Sequence, residues 1–439
     1  MKKVLLTLML TLAVGSVSAQ TSEDKAKAKA DAAALKAAQK EAKEQVKEAQ
    51  KVWDALNAQI QEKKATADII LTECKKGQEI LQKAIKSGML EEKKLGETYA
   101  LSTNMALHPL NIMLEAASNK QPFDTVYFYD NLKCLTDGLH NELKYTKVTK
   151  GEMGNEAQLK AKKIQLAQCG DYYIYAAQFE SACQRYKQAL ESYDRAMNYK
   201  ELYPEVADIC QLRATNAQIA YYAFHMAHDA KLYDVMDKYY DQAMEFKEGA
   251  EGTRQTKLMS FLERKDTTAW AQALHDITIK APQENKENIQ ILLAYYQKRG
   301  LDKMMAYADE ILAVDNSVVI ANYAKGHVYF VQEKYDDAFP CYVKCTELQP
   351  DYYDAWFQAG LCKYRQALAK NNSIGSIKNQ VKAKATLEEV KKLFSVAIPY
   401  FEKARECTPN EPQKWAYELK TCYSATGQAA KAAEMDKLL

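Results

Sequence analysis

Three side chains that can bind a metal ion lie close together near the middle of the sequence: His225, His228 and Asp229. On a helix, spacings of three and four residues place two or three of them on one face, as in some zinc sites. One hypothesis is therefore a metal-dependent enzyme or metal carrier centred on His225 and His228. The sequence implies no further ligand, so we favour a polar patch that lines a groove, with no metal and no cofactor.

The usual catalytic and nucleotide-binding signatures do not occur in the sequence: there is no GxSxG, no HExxH and no GxxxxGK[ST] loop. The 60 basic and 58 acidic residues nearly cancel, and no basic stripe is interleaved with aromatic residues. A nucleic-acid partner therefore has no electrostatic support. We predict a protein that is not an enzyme and does not bind nucleic acid.

The ten cysteines are scattered singly, without a CxxC pair or the Cys/His spacing of a zinc site. Only Cys341 and Cys345 lie one helical turn apart. Free cysteine is among the residues most often buried, so we interpret most of these thiols as small packing residues. Whether any of them form disulfides is left open.

The N-terminus has the three-part pattern of a secretory signal peptide. Lys2 and Lys3 precede an apolar run from Val4 to Val14, and small residues lead to Ala19. We predict residues 1–19 as a signal peptide cleaved after Ala19, and an exported protein of the periplasm or cell envelope. No later stretch has the apolar length of a membrane span.

The remaining composition favours helices. Glycine (15) and proline (9) are scarce in a chain of 439 residues, whereas Ala, Lys, Glu, Gln and Leu, which are good helix formers, abound. This length exceeds what one compact core usually holds, so several domains or a repeat array is expected. We predict an all-α protein.

Residues 20–65 are predicted to form a long polar helix with a weak apolar seam whose members are spaced by three and four. The seam comprises Val46, Ala49, Trp53, Leu56 and Ile60. One interpretation is a solvated helix whose end packs on the next helices. The other is a short coiled coil that makes the protein a homo-oligomer and a structural assembly subunit.

Residues 66–156 are predicted to contain divergent helical hairpins and a loop. Apolar residues recur at helical spacing from Ile69 to Ile85 and from Leu95 to Leu114. Asp124 is a candidate cap for a further helix that reaches about Leu143.

A repeat of 34 residues organises residues 157–439. Pro282, Asn316 and Pro350 are spaced by this interval, which places the starts of five units near Ala217, Glu251, Asn285, Val319 and Tyr353. Gly326 and Gly360 are also 34 residues apart, and we expect each to lie where paired helices cross closest.

This pattern resembles the tetratricopeptide repeat (TPR), as found in exported bacterial proteins. The matching residues in one unit are Trp356, Gly360, Ala397, Phe401, Ala404 and Pro409; in the unit before they are Tyr329, Ala338, Tyr342 and Pro350. A divergent earlier unit matches through Ala189, Tyr193 and Ala196. The resemblance implies a right-handed superhelical solenoid of helical hairpins that binds other proteins.

One unit carries an insertion of about 25 residues, because Pro340 and Pro399 are 59 residues apart rather than 34. We place the insertion at 370–394, between the two helices of the unit that begins at Tyr353, and expect a loop over its first residues. Each of the two prolines fits the first turn of a helix. Asp336 and Ser395 are then the predicted caps.

In such an array the first helices of the units line a concave groove. The positions predicted to face this groove are Tyr221, Tyr222, His225, Ile289, Leu293, Tyr296, Tyr323, His327, Phe357, Leu361, Tyr364 and Arg365. TPR domains that grip a terminal carboxylate carry a Lys and Asn set here, and this chain does not. We therefore predict a non-catalytic scaffold of the bacterial cell envelope that binds an apolar or mixed peptide, or a helix, of a protein partner.

Overall fold

The computed structural model describes residues 22–145 and 153–439, and every regular element in these ranges is helical. The first helices are α1 (Ser22–Gln61), α2 (Ala67–Ser87), α3 (Glu92–Ser118), α4 (Thr125–Tyr145), α5 (Met153–Ala182), α6 (Tyr186–Met197) and α7 (Tyr199–Leu202). The predicted signal peptide and most of the predicted loop that precedes α5 lie outside these ranges. The all-α prediction is confirmed.

The later helices follow as hairpins. They are α8 (Asn216–Asp229), α9 (Tyr233–Met244), α10 (Ala250–Glu263), α11 (Thr267–Lys280), α12 (Lys286–Gln297), α13 (Leu301–Val314), α14 (Val319–Val331), α15 (Tyr335–Leu348), α16 (Tyr353–Ile374), α17 (Gln380–Cys407), α18 (Ala416–Ala425) and α19 (Ala429–Asp436). Short 3-10 turns cover Pro204–Val206, Pro282–Asn285 and Pro412–Lys414. Among the described helices, none combines the length and apolar character that crossing a bilayer requires.

The chain forms two compact units, Met1–Lys257 (unit 1) and Leu258–Leu439 (unit 2). In unit 1 one hydrophobic core runs without a break from Ala106 in α3 to Ala243 in α9. The predicted boundary between residues 156 and 157 therefore does not separate compact units, because α5 packs on α4 as well as on α6. Unit 2 contains the regular hairpins.

Helix α1 uses its apolar seam inside the chain. Val46, Ala49 and Leu56 are buried, and α1 packs mainly on α2. Residues 26–37, which precede this contact, are exposed along their whole length. The docked-helix interpretation thus accounts for the seam, and little of it is left for a coiled coil.

Local signals place the ends of several helices as the sequence predicts. Oδ1 of Asp124 accepts a hydrogen bond from the Tyr127 backbone N–H at 2.9 Å, so Asp124 caps α4. Gly88 has a φ of +67° and ends α2. The hairpins after residue 215 begin within two residues of the five starts that the 34-residue interval predicts.

Gly326 and Gly360 make room for aromatic rings of the paired helix rather than for its backbone. A Cβ on Gly326 would lie 3.0 Å from the ring of Tyr342, and one on Gly360 would lie 2.9 Å from the ring of Phe401. Tyr342 and Phe401 are both fully buried. The close approach that the sequence predicts is therefore a ring seated on a glycine, repeated in two successive hairpins.

The prolines do not begin helices. Pro340 lies inside α15, which starts at Tyr335, and Pro399 lies inside α17, which starts at Gln380. The predicted caps are therefore wrong: Asp336 is in the first turn of α15 and Ser395 is well inside α17. Both prolines are exposed, and on that face a carbonyl freed by a proline can be hydrated.

The insertion lengthens one hairpin instead of forming a loop. Helix α16 has 22 residues and α17 has 28, whereas α14 and α15 have 13 and 14. The real cap of α17 is Asn379, whose side chain accepts from the Lys382 backbone N–H at 3.1 Å. The two helices join at residues 375–379, at the far end of the extended hairpin.

Candidate functional site

The first helices of successive hairpins in unit 2 carry several half-buried aromatic side chains, and Tyr323 of α14 lies at their centre. Its ring centroid is 5.3 Å from that of Tyr342 and 5.4 Å from that of Tyr352. Burial raises the pKa of Tyr323 to about 12. The hydroxyl is therefore protonated at neutral pH and can donate or accept a hydrogen bond.

The amide of Gln358, in α16, lies beside this hydroxyl and hydrogen-bonds to it. Its carbonyl oxygen Oε1 is buried and has no hydrogen-bond partner among the described residues. Leaving such an acceptor unsatisfied costs about 1–3 kcal/mol. A bound backbone N–H or a polar side chain of a ligand would remove that cost.

Phe357 offers a second aromatic surface on α16. Its ring stacks on that of Tyr353, with centroids 5.7 Å apart and planes inclined by 22°, and contacts Phe401 at 5.4 Å. The Tyr353 hydroxyl donates to the backbone carbonyl of Lys414 at 2.7 Å, which fixes the pair. Leu361, one turn further along α16, is half-buried in the same cluster.

His327 separates these aromatic surfaces from α12. Burial lowers its pKa below the usual value, so the imidazole is neutral at pH 7. Nε2 of Gln297 lies 3.4 Å from Nε2 of His327, where the amide can donate to the neutral ring. This part of the face is therefore polar without carrying charge.

A cavity of about 210 Å³ opens next to the aromatic group. Tyr352, which contacts Tyr323, forms one wall, and Val318, Val319 and Ile320 contribute an apolar surface. The other lining residues are Lys286, Glu287, Gln290, Ser317 and Gln349. This volume and lining suit one apolar side chain of a ligand, with polar groups at the edge.

Three residues predicted to line the groove are wrong. Ile289, Leu293 and Tyr364 are only 0%, 4% and 6% exposed. Ile289 and Leu293 pack in the core formed by α11 to α14, and the Tyr364 ring packs against Phe394, 5.6 Å between centroids. Their side chains are consumed by helix packing and cannot contact a ligand.

The other predicted residues of unit 2 are accessible. Tyr296, Tyr323, His327, Phe357 and Leu361 are half-buried, and Arg365 is exposed. We call Tyr323, Tyr352, Phe357, Gln358 and Leu361 the aromatic face. Sequence reasoning missed Tyr352 and Gln358, because Tyr352 precedes the first residue of α16 and Gln358 adjoins Phe357 outside the counted positions.

In unit 1 the predicted residues Tyr221, Tyr222 and His225 form a separate group on α8. The Tyr221 and His225 rings are 4.4 Å apart, and Tyr221 covers Gly249. Burial lowers the pKa of His225, whose Nδ1 lies 3.5 Å from Oγ1 of Thr256. Tyr222 is exposed.

The predicted alternative of a metal site at His225, His228 and Asp229 gains no support from this geometry. The ring of His225 packs between aromatic side chains, and Asp229 is exposed. Within residues 22–145 and 153–439, no group of three or more His, Cys, Asp and Glu side chains is placed to hold a metal ion.

Comparison with protein-family models and with curated proteins gave no match. Solved structures similar to this chain include MamA (17% identity over 40% of this chain and 88% of the other; TM-score 0.28) and a TPR repeats protein, BF2334, from Bacteroides fragilis (14%, 58%, 98%; 0.30). YrrB, described as a TPR protein with an unusual peptide-binding site, is 14% identical over 60% of this chain and 96% of its own (0.18). These TM-scores are below 0.5, so the fold assignment rests on the helices and packing of this chain itself.

Proposed function

We propose that this protein is a non-catalytic scaffold that binds an extended or helical segment of a partner protein against the aromatic face of unit 2. The observation that carries the proposal is the combination of accessible rings with an unsatisfied buried acceptor. Aromatic side chains bury much apolar area at low entropic cost and are frequent anchors of protein interfaces. Tyr323 and Phe357 supply the rings, and Gln358 Oε1 supplies the acceptor.

The proposed ligand is apolar or mixed rather than acidic. Tyr323, His327, Phe357 and Leu361 carry no charge at neutral pH, because burial lowers the pKa of His327 and raises that of Tyr323. A carboxylate placed there would lose its hydration without meeting a cation. An apolar ligand side chain can instead enter the 210 Å³ cavity beside Tyr352.

A crosslinking experiment tests the binding surface. A photoreactive phenylalanine analogue replaces Leu361 on the aromatic face or, as a control, Tyr400, a half-buried aromatic residue on α17. We expect protein adducts from position 361 in the native cell envelope and few from position 400. Adducts of equal yield at both positions, or none at 361, would refute the proposed surface.

We further propose that the protein is exported to the cell envelope. The support is the lysine pair, the apolar run and the small residues that end at Ala19. N-terminal sequencing of the protein recovered from fractionated cells should begin at Gln20. A protein that keeps Met1 and remains in the cytoplasmic fraction would contradict export.

A further inference from the structure

The extended hairpin of α16 and α17 ends in a segment whose charge is all of one sign. Residues 370–387 contain four lysines (Lys370, Lys378, Lys382 and Lys384) and no aspartate or glutamate. Lys370 is paired with Glu389 at 2.5 Å. The other three are exposed and form no ion pair with any described residue, so the segment presents three uncompensated positive charges.

An apolar side chain lies among these lysines. Val381, between Lys378 and Lys384, is 80% exposed and is the most exposed of the large hydrophobic side chains in the described chain. Ile377, at the junction of the two helices, is half-buried. We call residues 374–384 the hairpin tip. Burial in water-poor surroundings would be favourable for Val381, yet nothing in unit 2 covers it.

The hairpin tip also projects. Because α16 is nine residues longer than α14, it extends about 14 Å beyond the length of an ordinary first helix in this unit. A projecting, convex surface suits contact with a broad flat partner better than with a shaped recess. Lysines around an exposed aliphatic residue at a helix start are typical of segments that lie at a charged membrane surface.

We propose that the hairpin tip binds the surface of a membrane rich in anionic phospholipids. Lys378, Lys382 and Lys384 contact the lipid phosphates, while Val381 enters the boundary between headgroups and acyl chains. The contact is peripheral and electrostatic, so it weakens as salt shortens the range of the charges. It is independent of the aromatic face and of any peptide bound there.

Vesicle cosedimentation of the full mature chain tests this. The probes are vesicles of phosphatidylcholine alone and of phosphatidylcholine with phosphatidylglycerol. We expect cosedimentation only with phosphatidylglycerol, reduced at least tenfold by K378Q/K382Q/K384Q and by high salt, and reduced several-fold by V381S. The exposed lysines of the matched control, K280Q/K298Q/K334Q, remove the same charge elsewhere in unit 2 and should leave binding unchanged.

Three outcomes would overturn the proposal. They are no binding to phosphatidylglycerol vesicles at low salt, equal binding to phosphatidylcholine alone, and equal loss in the tip and control variants. Polyglutamate serves as a further probe: if it binds the tip while the vesicles do not, the surface belongs to an acidic protein partner instead. Circular dichroism should show unchanged helicity in every variant, because all replaced residues are exposed.

Discussion

The ring of Phe401 lies 2.9 Å from the point where a Cβ on Gly360 would stand, so the two residues interlock like a knob and its seat. Tyr342 and Gly326 repeat the relationship one hairpin earlier, at 3.0 Å. Since the rings are fully buried, they have no free space into which to move. The pairing of first and second helices in unit 2 depends on these two glycines.

Gly360→Ala should therefore destabilise unit 2. Overpacking of this kind costs about 1–3 kcal/mol, which is seen as a lower urea midpoint in circular dichroism. Gly375→Ala is the control, because nothing lies within 4 Å of a Cβ there and its φ of −61° suits any residue. Equal stability of G360A and G375A would contradict the ring-on-glycine packing.

Acid should destabilise the protein partly through its buried histidines. Burial lowers the pKa of His327 below 6.5, the value expected in the unfolded chain. The unfolded state then binds the proton more strongly, so this contribution to stability is complete above pH 6.5 and is lost as the pH falls below it.

His327→Gln removes this proton-binding group. Its urea midpoint should fall less than that of the wild type between about pH 7.5 and about pH 5. His225→Gln tests the same effect in unit 1, where burial also lowers the histidine pKa. Identical pH dependence of wild type and both variants would show that neither imidazole is buried as described.

The thiols should differ widely in reactivity. Cys183 is exposed, whereas Cys169, Cys345 and Cys422 are buried and burial raises the pKa of each to about 12. A disulfide reagent attacks thiolates, so Cys183 should react rapidly in the native protein and the buried thiols only after unfolding. Mass spectrometry of the labelled peptides distinguishes them; rapid labelling of Cys169 in the native state would contradict its placement.

The long N-terminal helix should not assemble the protein. The seam residues Val46, Ala49 and Leu56 are buried within unit 1, so the surface that a coiled coil requires is already covered. Light scattering of the chain that begins at Gln20 should give a monomer. Deleting residues 20–37 should change neither the mass state nor the melting temperature; a dimer that dissociates on this deletion would restore the coiled-coil hypothesis.

The repeat could be predicted from the sequence because it depends on regular spacing. Apolar residues, the glycines and the turn residues recur at 34 positions, and the helices start accordingly. The junction at Pro399 could not, because its sequence fits a helix start as well as an exposed helix interior. What decides between them is that the inserted residues before it are themselves helical and continue into α17.

The candidate site was predictable only in part. Tyr323 and Phe357 follow from the register of the first helices, and the structure leaves them accessible. Ile289 and Leu293 hold equivalent positions, yet neighbouring helices cover them. Register gives the direction of a side chain along its own helix, whereas burial depends on residues far away in the sequence.

Peptide binding measured by fluorescence anisotropy tests the central claim most directly. Labelled peptides are first selected on the wild-type protein from a phage-displayed library, and affinities are then measured for Y323F, F357L and the control Y400L. The account predicts a loss of about tenfold or more, or about 1.4 kcal/mol, for Y323F and F357L, with Y400L unchanged. Selected peptides that bind all four proteins equally would contradict a binding site at the aromatic face.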